Sequence, residues 1–394
     1  MKKVYIAVNN YMFTQGINSV VDQFWKTKEE LLKRGIDIVG VVDANHVYDN
    51  IVKREKVVSP VLVAKLKKGV LYNSNFGNSV AIYKNIINVG KKVAKRVSEV
   101  PNNGECIFVF QDVVAAYFAL KKYKIKNVVF MSHAYEDELE QLLINYPYIK
   151  KHYMEKIMRH FYAVVYQNDL RNIVICENAK NWILNQYPIT TVDVLYNSVE
   201  EEAMDDVQIN NNKINIVMAS SITERKGIDI FKNAMIQVPK NILEQCYFHI
   251  YGDGDYLENL KDACEKSQIK NIKFYGRCNK PYKNYSGMDA YLMTSRSETL
   301  PMSIIEAMMC SLPIFSTNVG AIPELVTEGK NGFLYTPDLQ GIIAAIEDIV
   351  EKKELLVNLG KKSREIYEDK FSSILWTEKL ASILNSSGVK GYNE

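Results

Sequence analysis

Short apolar runs alternate with longer amphipathic stretches along this chain, and the alternation occurs twice. The short runs are typical of buried strands, whereas the longer stretches carry apolar residues at helical spacing. In the first half the predicted strands are Val4–Val8, Ile36–Val42, Cys106–Phe110, Asn127–Met131, Ala163–Tyr166 and Val192–Leu195, and the predicted helices include Asn18–Lys33 and Tyr135–Leu143.

A second series of strands and helices restarts at Ile214. Its predicted elements are Ile214–Ala219, Ile228–Val238, Cys246–Tyr251, Tyr256–Lys266, Ile272–Tyr275, Ala290–Thr294, Ser303–Cys310, Ile314–Ser316 and Gly341–Glu351. The alternation in both halves predicts an α/β protein with two parallel sheets.

The length of 394 residues also favours two domains, because a single core seldom grows that large. Between the two series, residues 200–212 are polar and acidic and include three consecutive asparagines. We therefore predict an N-terminal domain over residues 1–199, a hinge over 200–212 and a C-terminal domain over 213–372.

Cysteine spacing and apolar run lengths exclude several classes of protein. The six cysteines (106, 176, 246, 264, 278 and 310) form no CxxC pair and no metal-ligand spacing, which indicates a reducing compartment. The apolar run after Lys3 ends at Asn9, too early for a signal peptide, and no run approaches a membrane span of about 20 residues. We expect a cytoplasmic protein.

The segment Ser295–Glu324 carries the clearest chemistry. A loop with Glu298 precedes a predicted helix that has Pro301 in its first turn, and Glu306 follows five residues later. The free N–H groups and partial positive charge of a helix N-terminus suit a diphosphate. Glu306 can reach back to an adjoining ribose, because helical side chains lean toward the N-terminus, and Glu298 is left to face a sugar.

Glu298 and Glu306 resemble the E-x7-E motif of retaining GT-B glycosyltransferases, especially the large family 4. The resemblance extends over most of the chain. The other matching segments are Ser132-His133-Ala134, Val192–Val199, Lys226-Gly227, Gly252-Asp253-Gly254, Asn318–Val326 and Gly332-Phe333. The implied architecture is a GT-B fold, two Rossmann-like domains facing across a cleft. Residues 373–394 would form a C-terminal helix that crosses back to the N-terminal domain.

The resemblance also implies roles for individual residues. Glu298 would contact hydroxyls of the donor sugar, and Glu306 would bind the ribose. Lys226 would bind the diphosphate, and His133 would lie near the reacting carbon. Further donor contacts would come from the backbone of Leu300, Met302 and Ser303, from Gly16 on the loop after the first strand, and from Arg277 beside the base.

The sequence departs from the family pattern at three positions. Ser221 stands where the family has an arginine five residues before the phosphate-binding lysine, and Arg225 is the candidate to replace that arginine. The first loop has the single glycine Gly16 where the family often has two. Ala134 follows His133 where the family has glycine.

Other interpretations compete with a nucleotide-sugar site. Asp253-Gly254-Asp255 resembles the DxD metal motif of GT-A enzymes, but it sits where a glycine turn is expected. A nicotinamide-dependent oxidoreductase would need GxGxxG after the first strand, and residues 9–18 contain one glycine. A GT-B epimerase or hydrolase and a catalytically silent GT-B binding protein remain as alternatives.

Positive charge is concentrated near the N-terminus. Residues 1–100 contain 17 Lys and Arg against 8 Asp and Glu, whereas the whole chain has a net charge of +3. Within Ile82–Val97, apolar residues at 82, 86, 89, 93 and 97 predict a helical stripe. Beside that stripe lie Lys84, Lys91, Lys92, Lys95 and Arg96. This face is either merely solvated or contacts anionic lipid or a lipid-diphosphate acceptor.

Taken with the resemblance, the sequence predicts a retaining hexosyltransferase that needs no metal and no cofactor. The donor would be a nucleotide-sugar, with UDP the first choice. The acceptor would be a glycan or lipid-linked glycan of surface polysaccharide synthesis, received by the N-terminal domain. Peripheral contact with the inner face of the membrane is expected, and nucleic acid is not an expected partner.

Overall fold

The computed structural model describes residues 1–9, 15–45, 47–48, 75–135, 151–167, 171–189, 191–205, 209 and 212–386. The chain divides into two compact units. The first comprises Met1–Leu195 together with Thr377–Glu394, and the second comprises Tyr196–Trp376. Among the described residues, no helix is both long and apolar enough to cross a bilayer.

The first unit is built on a seven-stranded sheet in the order β3-β2-β1-β4-β5-β6-β7. Its strands are β1 (Lys2–Ala7), β2 (Ile36–Val42), β3 (Val47–Tyr48), β4 (Cys106–Phe110), β5 (Val128–Ser132), β6 (Arg171–Val174) and β7 (Val192–Val194). All neighbouring strands are parallel except the short edge pair β2–β3. Strands β4 and β5 are buried along their whole length, as expected for a parallel sheet with both faces covered.

The described residues of this unit also form six helices and part of a seventh. They are α1 (Gln15–Lys26), α2 (Lys28–Lys33), α3 (Asn75–Ser98), α4 (Val113–Lys121), α5 (Lys151–Gln167) and α6 (Glu177–Gln186), with the last ten residues of α14 (Ser373–Ser386). Helix α4 begins where the Asp112 carboxylate accepts the Ala115 N–H at 2.7 Å, a side-chain N-cap. Near the C-terminal end of α14, the carbonyls of Leu384 and Asn385 accept hydrogen bonds from the Lys2 ammonium of β1.

One predicted strand is wrong. Residues Ala163–Tyr166 belong to helix α5, and the strand of that region is β6 at Arg171–Val174. The Ala-Val-Val-Tyr run reads as a strand because it is short, apolar and β-branched. Its buried side chains continue a stripe at helical spacing, formed by Met158, Phe161, Tyr162, Val165 and Tyr166. The predicted helix Tyr135–Leu143 lies almost entirely outside the described residues.

The second unit has a six-stranded parallel sheet in the order β10-β9-β8-β11-β12-β13. Its strands are β8 (Ile214–Ala219), β9 (Cys246–Tyr251), β10 (Ile272–Gly276), β11 (Ala290–Met293), β12 (Ile314–Thr317) and β13 (Gly332–Tyr335). From β8, strands β9 and β10 follow on one side and strands β11, β12 and β13 follow on the other, so the order reverses between β8 and β11. This is the strand order of a doubly wound nucleotide-binding sheet.

Helices cover this second sheet. They are α7 (Ile228–Gln237), α8 (Lys240–Leu243), α9 (Leu257–Lys266), α10 (Met302–Met309), α11 (Ile322–Leu325), α12 (Leu339–Glu351) and α13 (Leu356–Lys370), followed by the start of α14. One core cluster joins the apolar faces of α7 and α12 to the sheet, with Phe231 packed edge-on against Phe248 at a ring separation of 5.6 Å. The two predicted parallel α/β sheets are therefore confirmed.

The segment predicted as a hinge belongs to the second unit, and its described start is tied down there. Glu201 pairs with Arg364 at 2.8 Å, and Glu202 is held by Lys280 and Lys283. These contacts lower the pKa of Glu202 to about 2, chiefly through the hydrogen bond from Lys280. Motion about residues 200–212 stays a prediction.

Candidate functional site

Lys226 and Glu298 meet at the carboxyl edge of the second sheet. Lys226 lies on the loop after β8, and Glu298 lies on the loop after β11. The Lys226 ammonium is 2.5 Å from Glu298 Oε1, and the two side chains are 14% and 8% exposed. These strands flank the point at which the strand order reverses, where ligands of doubly wound sheets bind. The two residues that sequence reasoning assigned to diphosphate and sugar are thus neighbours.

Glycine at position 227 allows the two loops to approach this closely. Gly227 has φ +69°, and a Cβ there would lie 1.9 Å from the Thr294 carbonyl oxygen. The Thr294 hydroxyl also donates to the Lys226 carbonyl at 2.8 Å, and the Arg296 N–H donates to the Arg225 carbonyl at 3.0 Å. The Lys-Gly pair of the motif therefore has a steric cause: only glycine lets Lys226 sit against the end of β11.

Helix α10 presents its N-terminus beside this pair. The helix begins at Met302 after Pro301, and no side chain caps it. The N–H groups of Met302 and Ser303 therefore have no intrahelical acceptor, as at any helix start. Leu300 is buried just before the helix, and the loop that carries it is fastened by the Ala321 N–H, which donates to the Thr299 carbonyl at 2.9 Å. The predicted backbone donors are grouped at one end of one helix.

Glu306 lies one turn further along α10 and is half-buried. Burial raises the pKa of Tyr285 and of Tyr291 above the ordinary value, and the negative charge of Glu306 adds to both shifts. Tyr291 was missed by sequence reasoning. Its hydroxyl donates to the Ala219 carbonyl at 3.1 Å, is hydrogen-bonded to Ser303, and feels the charges of both Glu298 and Glu306. A tyrosine inside an apolar strand segment gives no sequence signal of such a position.

Arg225 and Ser221 occupy different places on the β8–α7 loop. Arg225 is exposed, and its guanidinium donates to the Ser297 carbonyl at 3.0 Å, so it braces the loop that carries Glu298. Ser221 is exposed near the end of β8. Whether Arg225 also contacts phosphate stays a prediction. Arg277 is exposed directly after Gly276, at the carboxyl end of β10 on the same sheet edge.

The Asp253-Gly254-Asp255 turn follows β9 and packs tightly on the β8 loop. A Cβ on Gly252 would lie 1.8 Å from the Ser220 carbonyl oxygen, and one on Gly254 would lie 2.3 Å from that of Ile222. Asp253 Oδ1 accepts the Gly254 N–H at 2.8 Å. Within the described part of the chain, no group of three or more His, Cys, Asp and Glu side chains could hold a metal ion.

The two predicted site residues of the first unit lie after β1 and β5. His133 directly follows β5, its Nε2 is buried, and burial lowers its pKa to about 4, so the imidazole is neutral at pH 7. Gly16 is the second residue of helix α1 and not part of a loop, which corrects its predicted location. The helix starts at Gln15, so the glycine contributes to its first turn. A phosphate contact by Gly16 stays a prediction.

Comparison with known proteins shows what the chain is similar to. The family model described as Glycosyl transferases group 1 matches residues 199–366, which include Lys226, Glu298 and Glu306. The chain is 25% identical to an uncharacterized glycosyltransferase of Methanocaldococcus jannaschii, over 54% of this chain and 59% of that protein. It is 24% identical to the O-antigen biosynthesis glycosyltransferase WclY of Escherichia coli, over 54% of this chain and 61% of WclY. Each alignment thus spans about three fifths of the relative.

Solved structures agree on the fold. Anabaena HepE in complex with UDP matches with a TM-score of 0.67 at 16% identity, covering 98% of this chain and 100% of HepE. The predicted GT-B fold, two parallel-sheet α/β domains, is confirmed. Residues 199–366 form a group 1 glycosyltransferase domain, and the paired Lys226 and Glu298 stand at its sheet edge.

Proposed function

We propose that this protein is a retaining glycosyltransferase that moves a sugar from a nucleotide-sugar, a UDP-sugar first, to an acceptor hydroxyl. The observation that carries the proposal is the Lys226–Glu298 pair at the reversal point of the second sheet, beside the uncapped start of α10. A lysine and the amides of a helix N-terminus suit a diphosphate, and two carboxylates suit the hydroxyls of the ribose and the sugar joined to it.

The donor would lie along this edge. Its diphosphate would be held by Lys226 and by the amides of Met302 and Ser303, and its ribose by Glu306 one turn further on. The base would lie toward Arg277, and the transferred sugar would face Glu298. UDP is our first choice because the similar HepE structure contains it.

Lys226 would change partners when the donor binds. In the structure the Lys226 ammonium pairs with Glu298, which also accepts the Ser295 hydroxyl at 2.6 Å. A diphosphate would share the ammonium, and the Glu298 carboxylate would then accept donor-sugar hydroxyls. The pairing holds both side chains near their working positions before the donor arrives, which reduces the ordering cost of binding.

In the reaction, the bond between the anomeric carbon and the β-phosphate oxygen breaks, and the acceptor oxygen bonds to the same face of that carbon. The acceptor proton passes to the leaving phosphate. Lys226 and the α10 amides would stabilise the growing phosphate charge without a metal. Glu298 would orient the sugar, and the neutral His133 would act near the reacting carbon by positioning and electrostatics, with no covalent intermediate.

We also infer that the acceptor belongs to surface glycan synthesis. WclY is named for O-antigen biosynthesis, and another relative of similar identity is the Staphylococcus aureus poly(ribitol-phosphate) alpha-N-acetylglucosaminyltransferase. The second name gives poly(ribitol-phosphate), a polyol polymer, as the molecule that receives the sugar. The present chain would therefore use a sugar or polyol hydroxyl as acceptor.

The test starts from nucleotide binding. Thermal melting against UDP-, GDP- and dTDP-sugars identifies the donor, and calorimetry then compares Glu306→Ala with Glu265→Ala, an exposed helical glutamate of the same unit. Loss of charge-assisted hydrogen bonds predicts at least a roughly tenfold weaker affinity for Glu306→Ala only. If no nucleotide raises the melting temperature, the proposed function is wrong.

A further inference from the structure

Polar side chains gather at the carboxyl ends of three neighbouring strands in the first unit. Asn9 follows β1, Gln111 and Asp112 follow β4, and His133 follows β5. Strand β4 pairs in parallel with both β1 and β5, with Phe110 opposite Ala7 on one side and Phe130 on the other. The three loops therefore leave the same edge of the sheet side by side, at the point where this sheet also reverses its strand order.

Gln111 is the least satisfied member of this group. It is 6% exposed, yet both its side-chain oxygen and its side-chain nitrogen are buried without a hydrogen-bond partner among the described residues. Its backbone N–H is used, donating to the Ala7 carbonyl at 3.1 Å. The backbone hydrogen bond thus fixes the residue, while its side-chain amide has no hydrogen-bond partner among the described residues. Buried amides are normally paired, so an unpaired one at a sheet edge points to a ligand.

Two further buried atoms on this edge lack partners among the described residues: Asn9 Oδ1 and His133 Nε2. The Asn9 side chain donates to the Asp112 carboxylate, which also accepts the Ala115 N–H at the start of α4. That bond orients the Asn9 amide and leaves its oxygen as an acceptor. Asp112 is already occupied by these donors, so it takes no part in ligand recognition.

The chemistry of the cluster selects the ligand. Gln111 offers one donor group and one acceptor, Asn9 offers an acceptor, and a neutral imidazole nitrogen does either according to its tautomer. The described residues of the three loops include no lysine or arginine, so the cluster cannot balance a phosphate. Hydroxyl groups, which donate and accept at once, match it.

We propose that Gln111, with Asn9 and His133, forms a hydroxyl-binding subsite that holds the polyhydroxylated acceptor. The proposal rests on the proposed function, because it assigns the acceptor's side of the same reaction. It makes Gln111 a positioning residue, one that fixes acceptor hydroxyls through both ends of its amide.

The experiment follows the His133 imidazole by NMR in histidine-labelled protein. The chain has five histidines, so the His133 signal is identified by its loss in His133→Asn. Methyl glucoside, methyl galactoside and methyl N-acetylglucosaminide are titrated as probes in the presence of UDP. In wild type we expect at least one of them to move the signal saturably. In Gln111→Leu we expect that affinity to fall roughly tenfold, as for the loss of two hydrogen bonds.

Gln23→Leu is the matched control. Gln23 is also 6% exposed with an unpaired side-chain nitrogen, but it lies near the C-terminal end of α1, about 12 Å along the helix from its start. This variant should bind the glycosides as wild type does. Gln111→Leu should melt at or above the wild-type temperature, because it removes two unsatisfied polar atoms from a buried site.

The outcomes separate cleanly. If no glycoside moves the His133 signal, or if Gln111→Leu binds the glycosides like wild type, the subsite is refuted. Calorimetry with UDP, GDP and dTDP on the same samples measures nucleotide binding by the second unit independently. If none of the three nucleotides binds, the proposed function is refuted, whatever the glycosides do.

Discussion

At the scale of single residues, a cation and a carboxylate neutralise each other at the edge of the second sheet. Lys226 and Glu298 are both largely buried, so each side chain would be costly to leave alone. Removing Lys226 therefore has two effects, a loss of phosphate stabilisation and an unbalanced Glu298. Measurements on a Lys226 variant must therefore separate the loss of phosphate stabilisation from the effect of the unbalanced Glu298.

We predict that Lys226→Met lowers kcat by roughly 10²–10³-fold, because the ammonium faces charge that grows during the reaction. The variant should also melt below wild type. The double variant Lys226→Met/Glu298→Gln should recover much of the melting temperature but not the turnover. Lys270→Met, at an exposed lysine of the same unit, should match wild type in both measurements. Normal turnover in folded Lys226→Met would move the role to Arg225.

His249 gives a second prediction at this scale. Its Nδ1 is 2.9 Å from the Tyr275 hydroxyl and its Nε2 is 3.1 Å from Asn215 Oδ1, contacts that suit one neutral tautomer. Burial, aided by the charge of Lys273, lowers its pKa to about 4. The unfolded chain binds this proton near pH 6.5 and the folded chain only near pH 4, so stability falls as pH drops through that window.

Urea unfolding at pH 7, 6, 5 and 4 measures this loss. The urea midpoint of wild type should fall faster below pH 6.5 than that of His249→Gln, which has no proton to gain there. His133→Asn serves as comparison, because burial lowers the pKa of His133 similarly in the other unit. Parallel pH profiles for wild type and His249→Gln would show that the imidazole is not the group responsible.

At the scale of elements, helix α10 ends in an unusual way. The Leu312 N–H donates to the Ala307 carbonyl and the Ser311 N–H to the Met308 carbonyl, both at 3.0 Å, the two bonds of a Schellman motif. The residue in the left-handed position is Ser311, with φ +59°, where glycine is usual. A serine there bears a steric cost that glycine avoids.

Ser311→Gly should therefore raise stability by about 0.5–1 kcal/mol, the relief of the left-handed strain less the added freedom of glycine in the unfolded chain. Thermal melting checks the direction. Ser311→Ala is the control, since it keeps the Cβ and should gain nothing. Donor affinity should not change, because Glu306 lies in the preceding turn. A lower melting temperature for Ser311→Gly would contradict this account.

Elements were predictable where one local rule dominated. The strands Ile36–Val42, Cys106–Phe110, Ile214–Ala219 and Cys246–Tyr251 match their predicted bounds, because buried parallel strands are continuous apolar runs. Ala163–Tyr166 failed because an apolar tetrapeptide cannot distinguish a strand from the buried side of a helix. The Lys226–Glu298 contact follows from strand order, which spacing along the chain does not reveal. Tyr291 and Gln111 emerged only from hydrogen bonds made, or missing, in three dimensions.

The β9–α9 turn carries the prediction about metals. Asp253 accepts its own neighbour's N–H, and the flanking glycines fit the β8 loop, so the turn has a structural explanation. Activity should survive EDTA, and Asp253→Asn/Asp255→Asn should keep substantial turnover, since asparagine retains the acceptor oxygen. Transfer assays with EDTA, and with Mn²⁺ added back, check this. Activity that vanishes with EDTA and returns with Mn²⁺ would mean that the turn binds a metal.

At the scale of the whole molecule, charge is unevenly distributed along the chain. Helix α3 carries part of this positive charge. On its inner face Val93 and Val97 are buried, as predicted, together with Ile87 and Ala94. Ile86 and Val89, which were also predicted for this face, are only half-buried. The predicted stripe is therefore rotated by about one residue. Exposed on α3 are Lys84, Lys91, Lys92, Lys95 and Arg96.

These cations differ in their surroundings. The Lys91 ammonium lies 5.1 Å from the centre of the Phe118 ring, so it contributes to packing. Lys95 and Arg96 both contact Glu99 at the surface, pairs that solvent screens. Lys92, Lys95 and Arg96 line a cleft of about 550 Å³ with Ala44 and Asn45. An anionic surface or an anionic part of the acceptor would find three positive charges here.

We predict salt-sensitive binding of the protein to vesicles that contain phosphatidylglycerol, with little binding to neutral phosphatidylcholine vesicles. Each basic residue near an anionic surface contributes on the order of 1 kcal/mol, so Lys92→Ser/Lys95→Ser/Arg96→Ser should weaken binding on the order of 10²-fold at low salt.

Lys91 stays unchanged, so that the loss of its contact with Phe118 is not mistaken for a charge effect. The matched control is Lys121→Ser/Lys124→Ser/Lys156→Ser, which removes the same charge from exposed positions elsewhere in the first unit. Cosedimentation at low and high salt measures all three proteins. If both triple variants lose binding equally, net charge and not this face is responsible; if wild type stays in the supernatant at low salt, the α3 face is merely solvated.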